Sequence, residues 1–335
     1  MGLFKVASIT ILVFVGHSLA LSQFSDNDKS QLYPKVITVG RGVSCKWTPS
    51  GTALTYKVAD TLIVYDVSTQ ERVSIGVIAG VHYEWLNDSI FVTLENSWAG
   101  GNGAGRDKSR STIVRYYTYD TSSSAIVLDS SESFLASGIQ PSRFVRSTSG
   151  SIGIVDYARI AMTFETQHSM RSRRTGQDLY IRALISPGQA LNTPRNLSLV
   201  DAAGDEVQRI ATGAPYYFPK LSPDGSMVSC HSNGQLVLLS VSGDIIATIP
   251  RSTGESWSPC GQKLFYNKPI EDGYDIIGSE LYSFDISALE ETQLTNTPDK
   301  IELSPLSSPN GDMLAYYSYN HGVNVIEILV LVRQD

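Results

Sequence analysis

Tyr216–Ile249, YYFPKLSPDGSMVSCHSNGQLVLLSVSGDIIATI, reads as four short strands separated by three turn signals. Tyr216–Leu221 is largely apolar, Pro223-Asp224-Gly225 turns it, and Met227–His231 runs back. Ser232-Asn233-Gly234 leads into Leu236–Val241, and Ser242-Gly243-Asp244 into Ile245–Ile249. Gly, Asn and Asp supply the positive φ that tight hairpin turns require. A four-stranded sheet with two apolar faces is not stable alone, so it has to stack on similar sheets.

Similar stretches recur in fixed order. The first turn returns as Thr48-Pro49-Ser50-Gly51, Ser258-Pro259-Cys260-Gly261 and Ser308-Pro309-Asn310-Gly311. The third strand returns as Leu62–Asp66, Tyr116–Asp120, Leu197–Asp201 and Leu281–Asp285, each ending in an Asp able to start the next turn. Four strands per unit, repeated at a period of tens of residues, predict an all-β fold of the β-propeller type. The Trp257-Ser258-Pro259 and Ser222-Pro223-Asp224-Gly225 turns, with the Asp-terminated strands, resemble the TolB-like, WD40-like propeller repeats. The resemblance spans nearly all of the chain after its first residues and implies a fold, not an activity.

The units expected are Val43–Ile75, His82–Leu128, Ile139–Ile210, Tyr216–Ile249, Glu255–Thr295 and Ile301–Val332: six four-stranded blades, or seven if the long third one divides. The last unit supplies three strands, and Tyr33–Val39, which has no partner of its own, is expected to close the ring as its fourth and hide the sheet edges. Residues 31–335 are thus read as one domain.

Ahead of it, Lys5, the apolar run Val6–Val15 and the small residues Ser18-Leu19-Ala20 form a secretory leader over residues 1–20, followed by a loose polar segment at 21–30. The apolar run is shorter than the roughly 20 residues that span a bilayer, so the mature chain is expected to be exported, periplasmic or secreted, with no membrane span. With 26 Lys and Arg against 33 Asp and Glu, the chain is acidic, which argues against nucleic-acid binding. Three cysteines, Cys45, Cys230 and Cys260, are read as reduced packing residues. Cys230 and Cys260 fall near opposite ends of neighbouring units, about 15 Å apart at ~3.3 Å per residue, beyond the ~7 Å that a disulfide spans.

Turns of a four-stranded meander alternate sides. One end, the turn face, carries the Pro-x-Gly turns; the other, the loop face, carries the second-to-third strand connections and the links between units. The irregular sequence belongs to the loop face: Ser97–Ser111, Gln167–Gln177, Ser186–Arg195 and Asn267–Ser279. These inserts bring Arg106, Lys108 and Arg110 of the second unit towards Arg171, Arg173 and Arg174 of the third, a positive field suited to an anionic ligand or an acidic partner. Trp98 is the one tryptophan in an insert, whereas Trp47, Trp85 and Trp257 close first strands and are expected to pack between units. His82, His168, His231 and His321 also map to this face, in links or in second-to-third strand loops.

Four histidines on a TolB-like scaffold suggest the oligogalacturonate lyases, which the resemblance makes the alternative: a metal-assisted enzyme acting on an anionic polysaccharide. No local multi-histidine motif accompanies them, and no Gly-x-Ser-x-Gly elbow is present. Glu271, Asp272 and Asp275 do not follow the order of an EF-hand loop and read as a solvated acidic loop. The expectation is therefore an exported, non-catalytic, monomeric propeller that binds a protein or glycan through its loop face, with no cofactor, catalytic residue or metal ligand assigned.

Overall fold

The computed structural model describes residues 35–78, 82–85, 87–98, 110–120, 123–136, 143–146, 151–155, 166–168, 170–171, 178–184, 196–200, 206–273, 275–320 and 322–331. Residues 1–20, read from sequence as a leader, and 21–30, read as a loose segment, lie outside the described residues. Within them the fold is all-β. Strand β1 (Val36–Gly40) precedes unit I, β2–β5 (Val43–Trp47, Ala53–Val58, Thr61–Asp66, Arg72–Val77), and unit II, β6–β9 (His82–Trp85, Ile90–Trp98, Arg110–Asp120, Ala125–Ala136). Unit III is β10–β12 (Arg143–Arg146, Ser151–Val155, Thr166–His168), and unit IV is β13–β16 (Met170–Arg171, Asp178–Leu184, Asn196–Val200, Glu206–Ala211). Unit V is β17–β20 (Tyr217–Leu221, Met227–Ser232, Gln235–Ser240, Ile245–Pro250), and unit VI is β21–β24 (Thr253–Trp257, Lys263–Glu271, Ile276–Asp285, Glu290–Gln293). Unit VII is β25–β27 (Ile301–Ser307, Met313–Asn320, Val323–Val330).

Each unit is an antiparallel meander, and β1 pairs with β27 through Val36↔Leu329, Ile37↔Ile328 and Thr38↔Glu327, completing unit VII. Units VI and VII join into one eight-stranded sheet only through a single parallel bridge, Ser279↔Ile301. Two expectations need correction. The stretch Ile139–Ile210, read first as one irregular unit with its division as the alternative, forms two separate sheets, because β12 pairs back onto β11 while β13 begins a new meander with β14. The stretch Asn267–Ser279, read as a loop, is largely a continuation of the β22–β23 ladder as far as Glu271↔Ile276. Its β-branched Ile270, Ile276 and Ile277 and the Asp272-Gly273 turn favour pairing over coil.

The turn face is built alike in units I, V, VI and VII. Gly51, Gly225, Gly261 and Gly311 each donate N–H to the Thr or Ser three residues earlier at 2.8–2.9 Å, and their φ values of 70–75° explain why glycine stands there. The serine hydroxyl then caps the next strand, Ser222 to Met227 N, Ser258 to Lys263 N and Ser308 to Met313 N. Neighbouring turns touch: a Cβ on Gly261 would meet Pro223, one on Gly311 would meet Pro259, and one on Gly51 would meet Pro309 and Asn310 at 3.0–3.2 Å. Ser50 N continues the row by donating to Asp88 of unit II at 2.9 Å. The third-to-fourth strand turns share a device as well. Asp66 accepts from Ser68 N, Ser68 Oγ and Thr69 N, and Asp285 from Ser287 N, Ser287 Oγ and Ala288 N, which holds both carboxyls below their ordinary range.

Buried apolar residues sit between units rather than within them. Leu236, Leu238 and Ile249 of V meet Trp257, Leu264 and Tyr266 of VI, and Phe265 and Leu281 of VI meet Leu314, Tyr316 and Leu329 of VII. Trp47, Leu54 and Tyr56 of I meet Ala315, Ile326 and Ile328 of VII, so the first and last units are packed as neighbours. At about 1.5–3 kcal/mol per fully buried aliphatic or aromatic side chain, these seams dominate the stability. Tryptophan fixes their register. Trp257 Nε1 donates to Lys220 O of V at 3.3 Å, and Trp47 Nε1 to the equivalent Leu306 O of VII at 2.9 Å. Trp85 Nε1 reaches Thr55 Oγ1 of I at 2.9 Å, which itself donates to Lys46 O.

Candidate interaction face

The loop-face ends of the first strands share a bulge. The ladder skips two residues between Val43 and Lys46, Tyr217 and Lys220, Thr253 and Ser256, and Leu303 and Leu306. The first skipped residue is left-handed every time, Ser44, Phe218, Gly254 and Ser304, at φ 50–67°. The second is Cys45, Pro219, Glu255 or Pro305, and proline is tolerated because a bulge needs no ladder N–H there. At Gly254 a Cβ would meet Ser304 Cα at 2.8 Å, so the first strands of VI and VII come too close for a side chain.

Opposite three of the four bulges, those of units V, VI and VII, the second-strand residue reaches to the next unit. Tyr317 Oη accepts from Cys45 N at 2.8 Å, Asn267 Oδ1 accepts from Ser304 N at 3.0 Å, and His231 Nε2 meets Glu255 Oε2 at 2.6 Å. His231 therefore lies in β18 rather than in a loop, and it occupies a position that elsewhere serves to clasp neighbouring sheets. The Glu255 side chain is only 2% exposed, with Lys220 Nζ 3.9 Å from Oε1 and bonded to Glu255 O. Burial raises its pKa, but Lys220 and His231 outweigh burial and hold the carboxyl below its ordinary range.

The next seam has the opposite electrostatics. Glu302 is buried beside Glu280, and Thr297 Oγ1 lies 3.0 Å from Glu302 Oε1 and 3.3 Å from Glu280 Oε2, so one hydroxyl proton serves two carboxyls. Thr295 donates to the other Glu302 oxygen. Lys300 is engaged by Glu327 at 2.9 and 3.0 Å, and Tyr316 Oη donates to the same Glu327 at 3.0 Å. Burial, reinforced by the Glu280 charge, leaves Glu302 with a raised pKa. Among the described residues, no group of three or more His, Cys, Asp or Glu is arranged to hold a metal.

Exposed large apolar side chains divide sharply between strands. Those on fourth strands or the turns before them, such as Val77, Val127, Val207 and Ile245, are scattered along the outer edges. Every one on a first, second or third strand among the described residues stands at the loop face: Val43, Val58, Phe218 (57% exposed), Tyr319 (44%) and the β22–β23 isoleucines Ile270, Ile276 and Ile277. Phe218 is carried there by its left-handed backbone and meets the His231 ring edge-on at 6.4 Å.

The residues singled out from sequence fare unevenly. Trp98 ends β7 directly opposite Arg110, which begins β8, so this pair is strand-bound and the insert is shortened at both ends. Arg171 lies in β13 opposite Asp178, His82 opens β6 opposite Leu94, and His168 closes β12 opposite Ser151, in a strand rather than a loop. Arg106, Lys108, Arg173, Arg174 and His321 lie outside the described residues. Cys45, Cys230 and Cys260 are free thiols, the first two buried, and burial pushes Cys230 up to about 12. Sequence reasoning missed the clasp residues Glu255, Asn267 and Tyr317 and the apolar set on the loop face. The isoleucines in an otherwise polar insert were the available signal.

No family model and no curated protein matches the sequence. Among solved structures, the chain is similar to an oligogalacturonate lyase from Vibrio parahaemolyticus at 13% identity and a TM-score of 0.42, over 88% of this chain and 78% of that one. It is also similar to a chain of a mitotic checkpoint complex at 13% identity and a TM-score of 0.47, over 90% of this chain and 92% of that one. Both likenesses are too distant to carry an activity or a partner to this chain.

Proposed function

We propose that the chain is an exported, non-catalytic binding module, a ring of units I to VII of the TolB-like propeller kind, whose loop face takes a protein partner. The collection, among the described residues, of the exposed inner-strand apolar side chains at that one end carries the reading. Phe218, Tyr319 and three isoleucines in one region favour a protein surface over a sugar, since aromatic and aliphatic anchors mark the centres of protein interfaces. The inter-unit packing of VII against I supports closure of the ring, and the leader-like order of Lys5, the apolar run Val6–Val15 and Ser18-Leu19-Ala20 supports export. Arg106, Lys108, Arg110, Arg171, Arg173 and Arg174 would then steer an acidic rim of the partner rather than anchor it.

Affinity capture with the full chain tests this when three baits are compared: wild type, Phe218→Ser with Tyr319→Ser, and Leu289→Ser on the turn face. A protein held by wild type and Leu289→Ser but lost by the double variant is the expected result. Equal capture by all three baits removes the loop face from consideration.

A further inference from the structure

Units VI and VII meet in a ladder at one point, Ser279↔Ile301, and the residue that follows on each strand is a glutamate. Glu280 and Glu302 are only 7% and 1% exposed. The link from β24 to β25 reaches both. Thr295 Oγ1 accepts from Leu281 N at 2.8 Å and gives its own proton to Glu302, while Thr297 Oγ1 stands between Glu302 Oε1 and Glu280 Oε2. Thr297 N donates to the other Glu280 oxygen at 2.6 Å. A hydroxyl has one proton, so one of the two carboxylates that face Thr297 Oγ1 receives none from it.

The two ammonium groups at this seam are already engaged. Lys300 is held by Glu327 at 2.9 and 3.0 Å, and Lys268, opposite Glu280 in the β22–β23 ladder, by Glu291 at 2.6 Å. Set against Glu280, Glu291, Glu302 and Glu327, they leave two negative charges over. Buried carboxylates without a counter-charge are costly. A separate observation comes from β26. Ser318 is 1% exposed, and its Oγ has no hydrogen-bond partner. It stands directly opposite Glu302 in the β25–β26 ladder, so both side chains leave the same face of the sheet with Cβ atoms about 5 Å apart. That face is turned to unit VI, because Tyr316, two residues before Ser318, packs there against Phe265 and Leu281. An orphaned hydroxyl is thus aimed at the surplus charge.

We propose that the seam between units VI and VII binds one Ca²⁺ ion through the carboxylates of Glu280 and Glu302 and the hydroxyl oxygens of Thr297 and Ser318. A dipositive ion balances the surplus charge and gives Ser318 Oγ the partner it lacks. All four ligands offer hard oxygen, with no imidazole or thiolate to favour zinc or copper. Ca²⁺ takes about six to eight oxygens in flexible geometry, a number that two carboxylates and two hydroxyls approach. Mg²⁺ keeps several of its waters, for which so buried a seam has little room. Glu327 is neutralised by Lys300 and gives no ligand, so the site is two carboxylates with hydroxyls and not three acidic side chains around a metal. The ion ties the link between β24 and β25 to both units, whatever the loop face binds.

The full chain, stripped of ions with a chelator, tests this at pH ~8 and constant ionic strength, where free carboxyls are ionised. Ca²⁺ at ~100 times its Kd should raise the melting temperature by roughly 5 °C, and Mg²⁺ or Na⁺ at the same concentration by much less. Glu302→Gln gives the sharpest reading, because its effect changes sign. In chelator the lost charge makes the variant more stable than wild type, and in saturating Ca²⁺ the lost ligand makes it less stable. Ser318→Ala leaves both carboxylates in place and should bind Ca²⁺ about tenfold more weakly by calorimetry, a loss common when one supporting group is removed from a metal site. No melting shift with Ca²⁺, an equal shift with Mg²⁺, or a full response in Glu302→Gln overturns the site. So does stabilisation that comes with acid alone, which would place a proton rather than an ion between the two glutamates. Should Glu302→Gln fail to fold, Ser318→Ala decides, and wild-type affinity in that variant overturns the inference.

Discussion

The two ends of the sheets are built on different principles. At the turn face the same chemistry is used repeatedly: a serine or threonine cap, a glycine near φ 70°, a proline from the preceding unit against it, and tryptophan N–H groups aimed at one carbonyl position. At the loop face the backbone device also repeats, as a bulge with a left-handed residue, but the side chains clasping across it differ: histidine to glutamate, asparagine to an amide, tyrosine to an amide. Uniform chemistry at one end fixes how units stack, and it leaves the other end free to vary from unit to unit. The exposed apolar residues of the inner strands fall on the variable end.

The largest effect is expected where the uniform end joins the two chain termini. Trp47→Ala removes the indole bond to Leu306 and opens a cavity between units I and VII, and should lower stability by about 3–5 kcal/mol in urea unfolding. Units V and VII carry Leu221 and Ser307 at the matching position, so a loss below about 1 kcal/mol would show that packing of the remaining seam suffices.

Glu255→Gln and Glu302→Gln sharpen the contrast at the variable end. The Glu255 carboxyl is lowered in the folded state, so its stabilisation is complete above the unfolded value of about 4.3 and is lost as pH falls through the folded one. Glu255→Gln should therefore cost about 2 kcal/mol at neutral pH, and the deficit should shrink on acidification below pH ~4. The Glu302 carboxyl is raised, so ionising it costs the wild type stability as pH climbs past about 4.3. Glu302→Gln should match wild type in acid and gain on it as pH rises. Parallel melting-temperature curves for the two variants between pH 3 and 8 would erase the distinction between these seams.

Gly51→Ala is smaller. The left-handed backbone and the contact with Pro309 and Asn310 should together cost about 1–2 kcal/mol by thermal unfolding. Ile270→Ser and Ile277→Ser should change stability by less than about 0.5 kcal/mol each, because both side chains are more than half exposed. A larger loss at either isoleucine would assign it to packing rather than to recognition.

What could be read from sequence follows the same division. The Pro-x-Gly turns and the Asp-initiated turns are local, and each is specified within four or five consecutive residues, so they were legible and gave the meander. Trp47, Trp85 and Trp257 were legible as packing residues because they repeat at one position. The bulges were not: three of their left-handed residues are Ser44, Phe218 and Ser304, and only Gly254 carries the residue type that announces such a backbone. The clasps were hidden because Tyr317 and Cys45, or Asn267 and Ser304, are far apart in the chain and chemically unlike from seam to seam. His231 looked like a ligand-face histidine because its partner, Glu255, belongs to another unit. The division of Ile139–Ile210 was legible only as an alternative, since that stretch lacks the Pro-x-Gly signal that would have marked where one unit ends and the next begins.

The pairing of β1 with β27 also sets an order of events during synthesis. Among the described strands β1 is made before all the others, and the ladder partner found for it there is β27, made after all of them, so β1 waits as a solvated edge while the intervening units form. Closing so long a loop adds little free-energy cost beyond that of a shorter one, but it makes the final docking step slow and places it after the rest of the chain has collapsed. Until then β27 presents its own free edge, and two half-finished chains in proximity can exchange β1 strands. Slow release from the ribosome or a chaperone that holds residues 36–40 would favour the correct intramolecular closure, and high concentration during refolding would favour exchanged dimers.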